Sequence, residues 1–453
     1  MATSVNIASQ FSGDFVPYLD KKTLPIALKE LSVYQFAEKK KLPKGGGTGW
    51  IATRYQRLPL PFAPLAETVP PAGETMTIQQ VSAVCQQWGD TVTISDVARL
   101  TIMHDPFQEA VGLIGIQQAE TYERNIFNGL MGGAQVNFVS SRGARANLVA
   151  GDVLDPTTVL RTVGALKTIG ARRFNGPENN NPQIDIGKGS GAAADRSPQG
   201  SPHFAAVCHT LLVADWSMNA TVVLARTYSA VTRLYNYEIG EWGGCRFVDS
   251  NMVPTFTGVA AIAGTPGAAG SLAGNTYFVT VTGSDLQNQY ESQICQVSAG
   301  IVVAGGGNGS ISITMPATAG FSWSAYIGTT ATPTNLAATS SASAPTTGPL
   351  AGMATQIPSG TTIILTALGV AQTPPAAPAT GITVYPTFVF GKGYFAVVTL
   401  ENVEHFMLTK ADKSDQLNQR NVMGWKGFFG MLILNQQFGA RIESTSAYSA
   451  TFG

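Results

Sequence analysis

Three residues that could bind a metal ion lie close together in the sequence. Cys208 and His209 are adjacent, and His203 is nearby. Thiolate and imidazole are ligands that zinc prefers. A structural zinc site also needs a fourth ligand at closed spacing, and the sequence shows none here. We therefore interpret Cys208 and His209 as buried strand residues, and we expect no metal and no cofactor.

A second candidate is the pair of carboxylates Glu238 and Glu241, which flank Gly240 and could act as an acid and a base. A solvated turn explains this spacing better. Glycine-rich runs at residues 45–49, 187–191 and 305–309 lack the Gly-Lys-Ser/Thr ending of a phosphate-binding loop. The sequence also contains none of the common hydrolase or calcium-loop motifs. We expect no catalytic residues and no enzymatic activity.

Positive charge is concentrated in the first 50 residues. This segment has seven lysines and four acidic residues, whereas the whole chain has 28 basic and 28 acidic residues and no net charge. Its densest cluster is Lys39, Lys40, Lys41 and Lys44. One interpretation is a solvated helix end. The other is an arm that contacts a polyanion or an acidic partner surface.

Helix start and stop signals indicate the elements that would position these residues. The patterns predict four helices: from Thr23 to Leu42, from Asp105-Pro106 to Gly132, from Asp155-Pro156 to Gly170, and from Asp215 through Tyr228.

Between the first two predicted helices, β-like alternation predicts a long two-stranded ribbon. Its strands are Arg54–Phe62 and Met76–Ile94, on either side of a proline-rich tip at residues 69–73. An isolated ribbon is marginally stable and has unpaired edges. We therefore expect another surface to cover it, either from its own chain or from a neighbouring molecule.

The composition favours association with other molecules. The chain has 453 residues, of which only 12% are charged, about half the usual share of 25%. A net charge of zero also promotes association. The first 14 residues do not have the pattern of a signal peptide, and no apolar run is long enough to cross a bilayer, so we expect synthesis in the cytoplasm and no membrane contact. Four cysteines without a CxxC pair predict reduced, buried thiols.

A charge-poor segment divides the chain. The 145 residues between Arg246 and Lys392 contain no Lys or Arg and only three acidic residues. Five β-rich runs separated by Gly, Ser, Pro and Asn clusters predict an all-β sandwich module over residues 256–381. Thr265-Pro266-Gly267 and residues 374–378 are typical of linkers. The alternative interpretation is a disordered low-complexity segment.

The order of these parts resembles the major capsid protein fold of tailed bacteriophages, the Hong Kong 97-type fold, and most closely the N-four-like podovirus coat protein family. Five segments carry the resemblance: Gln87–Asp96, Gln117–Asn125, Glu238–Asp249, Val389–Phe395 and Gly424–Phe429. The resemblance covers residues 15–255 and 382–448. The β-rich module departs from the basic pattern and is similar to an inserted immunoglobulin or fibronectin-type domain.

The resemblance implies an α+β fold class with five parts. These are an N-terminal arm with a helix (1–49), an extended loop (50–100), a spine helix and peripheral domain (101–174), an axial domain with closing peripheral strands (175–255 and 382–453), and an inserted β-sandwich on the outer surface (256–381).

The function implied is self-assembly as hexamers and pentamers into an icosahedral head that encloses double-stranded DNA. Implied partners are further copies of the chain, a separate scaffolding protein, a portal protein, a decoration protein and the packaged DNA, which Lys39, Lys40, Lys41 and Lys44 would contact at the inner face. The protein would be assembled in the host bacterial cytoplasm and end in the virion. Two other classes stay open: a virion decoration or adhesin-type binding protein that displays the β-module, and an enzyme with an unrecognised site.

Overall fold

The computed structural model describes residues 32–43, 45, 47–56, 58–60, 64, 73–97, 106–174, 202–217, 223–224, 235–285, 290–307, 309–318, 321–339, 357–408 and 420–448. Within these residues, no helix has the length and apolar character needed to cross a membrane. The chain forms two compact units. One contains Gln87–Ala119 and Asn402–Phe428, and the other contains Lys29–Gln86, Glu120–Glu401 and Phe429–Gly453.

The described residues form helices and strands in the following order. The helices are α1 Pro106–Met131, α2 Pro156–Ile169 and α3 Thr210–Ser217. The strands before residue 251 are β1 Glu38–Lys41, β2 Gly49–Tyr55, β3 Ile78–Val84, β4 Gln86–Ser95, β5 Val136–Phe138, β6 Phe204–His209, β7 Val223–Leu224, β8 Glu238–Trp242 and β9 Cys245–Ser250. Those between residues 256 and 371 are β10 Phe256–Val259, β11 Gly264–Leu272, β12 Asn275–Asp285, β13 Glu291–Cys295, β14 Ile301–Val303, β15 Gly309–Thr314, β16 Phe321–Gly328, β17 Asn335–Thr339, β18 Ile357–Pro358 and β19 Thr362–Ala371. The last strands are β20 Thr383–Phe390, β21 Phe395–Leu408, β22 Arg420–Ile433 and β23 Gly439–Ser444.

Two of the predicted helices are confirmed. The helix α1 has 26 residues and ends before Gly132. The helix α2 begins at Asp155, whose side chain accepts a hydrogen bond from the Thr158 backbone N–H at 3.3 Å. It ends at Gly170, which has a φ of 77°, the left-handed conformation that glycine adopts without strain. Local capping chemistry therefore determines both ends of α2.

The first helix prediction is wrong where the structure describes it, and the fourth is correct only for Asp215–Ser217. Tyr34–Phe36 forms a 3₁₀ turn, and Glu38–Lys41 forms strand β1, paired in parallel with Ala396–Thr399 of β21. Pairing to a distant strand here outweighs local helix propensity; residues 23–31 lie outside the described part. In the fourth prediction, Asp215 lies inside α3, whereas Val223–Leu224 pairs with β8.

The prediction of a two-stranded ribbon is confirmed, but the predicted return strand is too long. Strands β2 and β3 pair antiparallel from Gly49 opposite Val84 to Tyr55 opposite Ile78. The pairing ends at Cys85, whose backbone N–H donates to Thr48 O at 2.9 Å and whose side chain is buried. The following residues form the separate strand β4, so the second half of the expected return strand does not belong to the ribbon.

The smaller unit contains polar contacts between its helical and strand segments. Gln117 Nε2 of α1 donates to Asp90 Oδ2 of β4 at 2.6 Å, and its Oε1 accepts from Trp425 Nε1 of β22 at 3.2 Å. At the next position of α1, the Gln118 Oε1 lies 2.8 Å from His405 Nε2 of β21. Residues from three of the five segments that carried the family resemblance therefore meet within this unit.

The larger unit is organised around a mixed sheet with the order β7-β8-β9-β6-β20-β23-β5. Strand β6 has no charged residue, and its side chains alternate between two cores: Phe204, Ala206 and Cys208 in one, Ala205 and Val207 in the other. Helix α2 contributes to the first core and α1 to the second. A sheet covered on both faces needs such near-continuous apolar strands.

The charge-poor segment is folded and all-β wherever the structure describes it, and each of the five predicted β-rich runs overlaps a strand. Its core contains Trp323, which is fully buried and donates from Nε1 to Ser359 Oγ at 3.1 Å. The linker prediction for Thr265-Pro266-Gly267 is wrong, since these residues lie within β11 and pair with β15. The disordered alternative is likewise wrong for the described residues.

Candidate functional site

The lysine cluster lies on an edge strand. Lys39, Lys40 and Lys41 occupy β1 and are all exposed; within the described ranges, β21 is the one strand that pairs with β1. Side chains alternate along a strand, so Lys39 and Lys41 share one side and Lys40 lies on the other. The Lys39 Nζ is 4.3 Å from the centre of the Tyr34 ring, and the Lys40 Nζ is 3.9 Å from Glu38 Oε2. Lys44 lies outside the described residues.

A buried carboxylate fixes the backbone that leads into β1. Glu123 of α1 is 1% exposed, and it accepts backbone N–H bonds from Ser32 at 2.6 Å, Val33 at 2.5 Å and Tyr34 at 3.3 Å. Burial raises the pKa of Glu123, while these hydrogen bonds act in the opposite direction. The spacing of charged residues gave no signal for this contact, which joins residues about 90 positions apart.

Aromatic rings reinforce the same attachment. The Tyr34 ring meets Tyr122 of α1 edge to face, with ring centres 6.3 Å apart. Tyr122 stacks on Phe429 of β22 at 3.7 Å. Burial raises the pKa of Tyr122 to about 12, so its hydroxyl is neutral at physiological pH. The chain entering β1 is therefore held by both polar and apolar contacts.

The ribbon formed by β2 and β3 has two unlike faces. On one face, Trp50 and Ala83 contact a small core that includes Leu42 and Val398. The opposite face carries large apolar side chains that are more than half exposed: Ile51 60%, Tyr55 62%, Ile78 54% and Val84 63%. The chain itself therefore covers one face of the ribbon and leaves the other exposed. The second face is a candidate interface for another molecule.

Glu238 and Glu241 are not in a solvated turn, and that interpretation is wrong. Both lie in β8 beside the guanidinium of Arg246, which is 1% exposed; its Nε is 3.8 Å from Glu238 Oε1 and 3.7 Å from Glu241 Oε2. Burial raises the pKa of Glu241, and the charge of Arg246 opposes this. The hairpin turn at Gly243-Gly244 places Glu241 opposite Arg246. Recognising that hairpin would have predicted the ion pair.

The interpretation of Cys208 and His209 as strand residues is confirmed, with Cys208 fully buried and His209 half-buried. Both lie in β6, where burial raises the pKa of Cys208 and lowers that of His209 to about 4. The neutral His209 Nδ1 accepts a hydrogen bond from the Leu211 backbone N–H at 3.1 Å. In the part of the chain that the structure describes, no cluster of three His, Cys, Asp or Glu residues could hold a metal ion. All four cysteines are free and buried, as predicted.

No protein-family model matches the chain, and no curated protein matches it in sequence. Solved structures do match it. The capsid of Ralstonia phage GP4 aligns with a TM-score of 0.51 at 9% identity, covering 98% of each chain. The cyanophage Pam1 capsid asymmetric unit aligns at 0.49 and 10% identity over 99% and 100% of the chains, and the capsid of cyanophage P-SCSP1u at 0.46 and 10% over 95% and 93%. The GP4 likeness establishes the fold: the chain has the α+β, Hong Kong 97-type architecture predicted from the order of its elements.

Proposed function

We propose that this chain is the major capsid protein of a tailed bacteriophage. Copies of it assemble as hexamers and pentamers into an icosahedral head that encloses double-stranded DNA. The observation that carries this proposal is the fold shared with the Ralstonia phage GP4 capsid along 98% of both chains. The five sequence segments favour the N-four-like podovirus coat proteins as its nearest relatives.

In this proposal the exposed face of the ribbon is a contact between subunits. Ile51, Tyr55 and Ile78 are well exposed in the single chain. Covering the part of one such side chain that is still exposed would contribute roughly 1–2 kcal/mol. In a closed shell, symmetry would offer the same partner surface to every subunit. Each contact would be modest, but the stabilisation would be repeated at every subunit of the shell.

The remaining parts of the chain follow from the same proposal. Residues 1–49 form the arm, 50–100 the extended loop, 101–174 the spine and peripheral domain, and 175–255 with 382–453 the axial domain and closing strands. Residues 256–381 form an immunoglobulin-like domain on the outer surface, which is supported by their separate apolar core. The lysine cluster at residues 39–44 faces the packaged DNA.

The partners in this proposal are a separate scaffolding protein, a portal protein and a decoration protein. Assembly takes place in the host bacterial cytoplasm, and the protein ends in the virion. Because the contacts needed are non-covalent, a shell subunit of this kind needs no catalytic group.

The decisive experiment compares two double variants that each place charges on exposed apolar strands. Ile51→Asp with Ile78→Asp alters the ribbon. Val302→Asp with Ile364→Asp is the matched control in the β-module, where these residues are 67% and 40% exposed. After coexpression with a scaffold, negative-stain microscopy and sedimentation should show shells for the parent and the control and only small species for the ribbon variant.

Shells from the ribbon variant would remove the proposed role of the ribbon. A parent chain that stays monomeric with a scaffold present would contradict the capsid function itself and favour a decoration or adhesin-type protein.

A further inference from the structure

Tyr237 has a backbone conformation that a bulky residue rarely adopts. Its φ is 62°, in the left-handed region. It occupies the third position of a turn that the Glu238 backbone N–H closes on Tyr235 O at 3.3 Å. Glycine or asparagine is usual at a turn position with positive φ. A tyrosine there is strained, and strain of this kind is concentrated at functional sites.

Hydrogen bonds hold the turn in this conformation. The Asn236 backbone N–H donates to Gln35 Oε1 at 3.1 Å, and Gln35 Nε2 donates to Asn236 O at 3.1 Å. The Asp249 backbone N–H donates to Tyr237 O at 3.1 Å. The turn is therefore fixed on both sides, and it presents the Tyr237 side chain at the surface with 47% of it exposed. A side chain on a backbone that is already fixed loses less entropy when it binds a partner.

The same contacts place Tyr237 beside the lysine cluster. Gln35 belongs to the short 3₁₀ turn Tyr34–Phe36, which leads into β1. The Tyr34 ring is 37% exposed, and its centre lies 4.3 Å from Lys39 Nζ. One short segment therefore joins the strained turn to the basic edge strand.

Two arginines lie next to this segment. The Phe36 ring packs against the Phe174 ring, with ring centres 5.6 Å apart. Arg172 and Arg173 directly precede Phe174, and both are exposed. Basic side chains thus come from two separate parts of the chain.

Acidic side chains are fewer here. Glu38 lies 3.9 Å from Lys40, and Asp249 is half-buried. Glu238 is buried, and its Oε1 lies 3.8 Å from Nε of the buried Arg246. In the described segments that meet at the turn, basic side chains therefore outnumber acidic ones, and most of the exposed charge is positive.

We propose that this surface binds the phosphate backbone of double-stranded DNA, with the Tyr237 hydroxyl donating a hydrogen bond to a phosphate oxygen. Lys39, Arg172 and Arg173 supply the positive charge. Tyrosine hydroxyls, lysines and arginines are among the groups that position proteins on DNA phosphates without reading sequence. The inference rests on the proposed function, in which the lysine cluster faces the packaged DNA.

The test measures the affinity of the full-length, unassembled chain for a double-stranded DNA fragment as a function of salt. Tyr237→Phe removes only the hydroxyl and should weaken binding about tenfold at every salt concentration, because a hydrogen bond to a charged group is lost. It removes no charge, so the slope of log affinity against log salt should stay the same. Arg173→Gln should instead lower this slope by about 0.9.

The matched control is Tyr448→Phe. Tyr448 is 37% exposed, but its neighbour Ala447 donates to Asp215 Oδ2 at 3.3 Å, so a carboxylate rather than a basic group lies beside it. This variant should bind DNA like the parent.

Tyr237→Gly separates a role in binding from a role in folding. Glycine adopts a positive φ without strain. This variant should therefore unfold at no lower urea concentration than the parent, yet bind DNA about tenfold more weakly or worse. A lower unfolding midpoint would mean that the ring serves the fold and would contradict the proposal.

No DNA binding by the parent, or equal affinity for the parent and Tyr237→Phe, would overturn the proposal. Binding of polyglutamate as tight as that of DNA would overturn it in favour of an acidic protein partner. Shell formation by the parent tests the capsid function separately and does not depend on these results.

Discussion

The main core and the β-module of the larger unit are both rich in strands, yet they are stabilised by different interactions. The main core buries charged groups that connect distant parts of the chain, such as Arg145 with Glu443 and Arg246 with Glu238. The module core is built from apolar side chains around Trp323, and Glu291 is its one described buried carboxylate. The stability of the main core should therefore depend on pH and salt. The stability of both regions should depend on the packing of their apolar side chains.

The module is nevertheless joined to the main core by paired strands. Strand β10 pairs with β13 of the module and with β20 of the main sheet. Phe256 and Ile294 of these strands contribute to the main apolar core. At the other connection, Ala376 O accepts from Arg145. The module therefore has its own core but no freely moving connection at these positions.

The largest expected effect is loss of the buried ion pair in the main core. Glu443→Gln leaves the guanidiniums of Arg145 and Arg441 without their carboxylate and should lower the free energy of unfolding by about 3–5 kcal/mol. The matched control is Glu404→Gln, whose partner Lys426 lies 3.5 Å away at a half-exposed position. That change should cost about 0–1 kcal/mol. Urea unfolding of the full chain measures both, and similar losses for the two variants would show that the buried carboxylate of Glu443 is no more important to stability than an exposed one.

Removing a buried ring should destabilise mainly the region in which the ring lies. Trp323→Ala in the module and Trp216→Ala in the main core each remove a fully buried ring, at a cost of about 3–5 kcal/mol. Hydrogen exchange should show that Trp323→Ala lowers protection within residues 264–371 and leaves β6 and β20 protected. Trp216→Ala should do the reverse. Equal loss of protection in both regions from Trp323→Ala would show that the module is not an independent folding unit.

Local sequence signals predicted the parts of the fold that local chemistry determines. Asp155, Pro156 and Gly170 define α2 by capping alone, and alternation located the module strands. The same approach failed for β1 because its partner, Ala396–Thr399, is more than 350 residues away. The contact between Arg145 and Glu443 could not be predicted from the sequence for the same reason. The two residues are 298 positions apart, and no spacing rule relates them.

A smaller effect is expected from the pH dependence of the attachment at Glu123. Burial raises the pKa of this carboxyl in the folded chain above its unfolded value. The folded state therefore favours the protonated form, and the stabilisation is complete below the unfolded pKa and is lost as pH rises through the folded pKa. Thermal unfolding from pH 4 to 8 should show this loss for the parent, and Glu123→Gln should flatten it. The exposed Glu109→Gln on the same helix is the control; an unchanged profile for Glu123→Gln would refute the assignment.

The smallest effect on stability, and the one most specific to function, concerns the lysines of β1. Replacing Lys39, Lys40 and Lys41 by Gln should change the free energy of unfolding by less than about 0.5 kcal/mol, since all three are exposed. The control is Lys167→Gln, an exposed lysine on α2. The measurement is the affinity of the full chain for double-stranded DNA as a function of salt.

The strand geometry makes this last prediction quantitative. Each lysine that neutralises a phosphate contributes about 0.9 to the slope of log affinity against log salt. Lys39 and Lys41 share one side of β1, whereas Lys40 lies opposite beside Glu38. The triple variant should therefore lose a slope of about 1.8 rather than 2.7, and Lys40→Gln alone should lose almost none. An equal slope for the triple variant and the parent would contradict a role of these lysines in DNA binding. Their remaining role would then be to protect the sheet edge from unwanted strand pairing, as exposed lysines on edge strands commonly do.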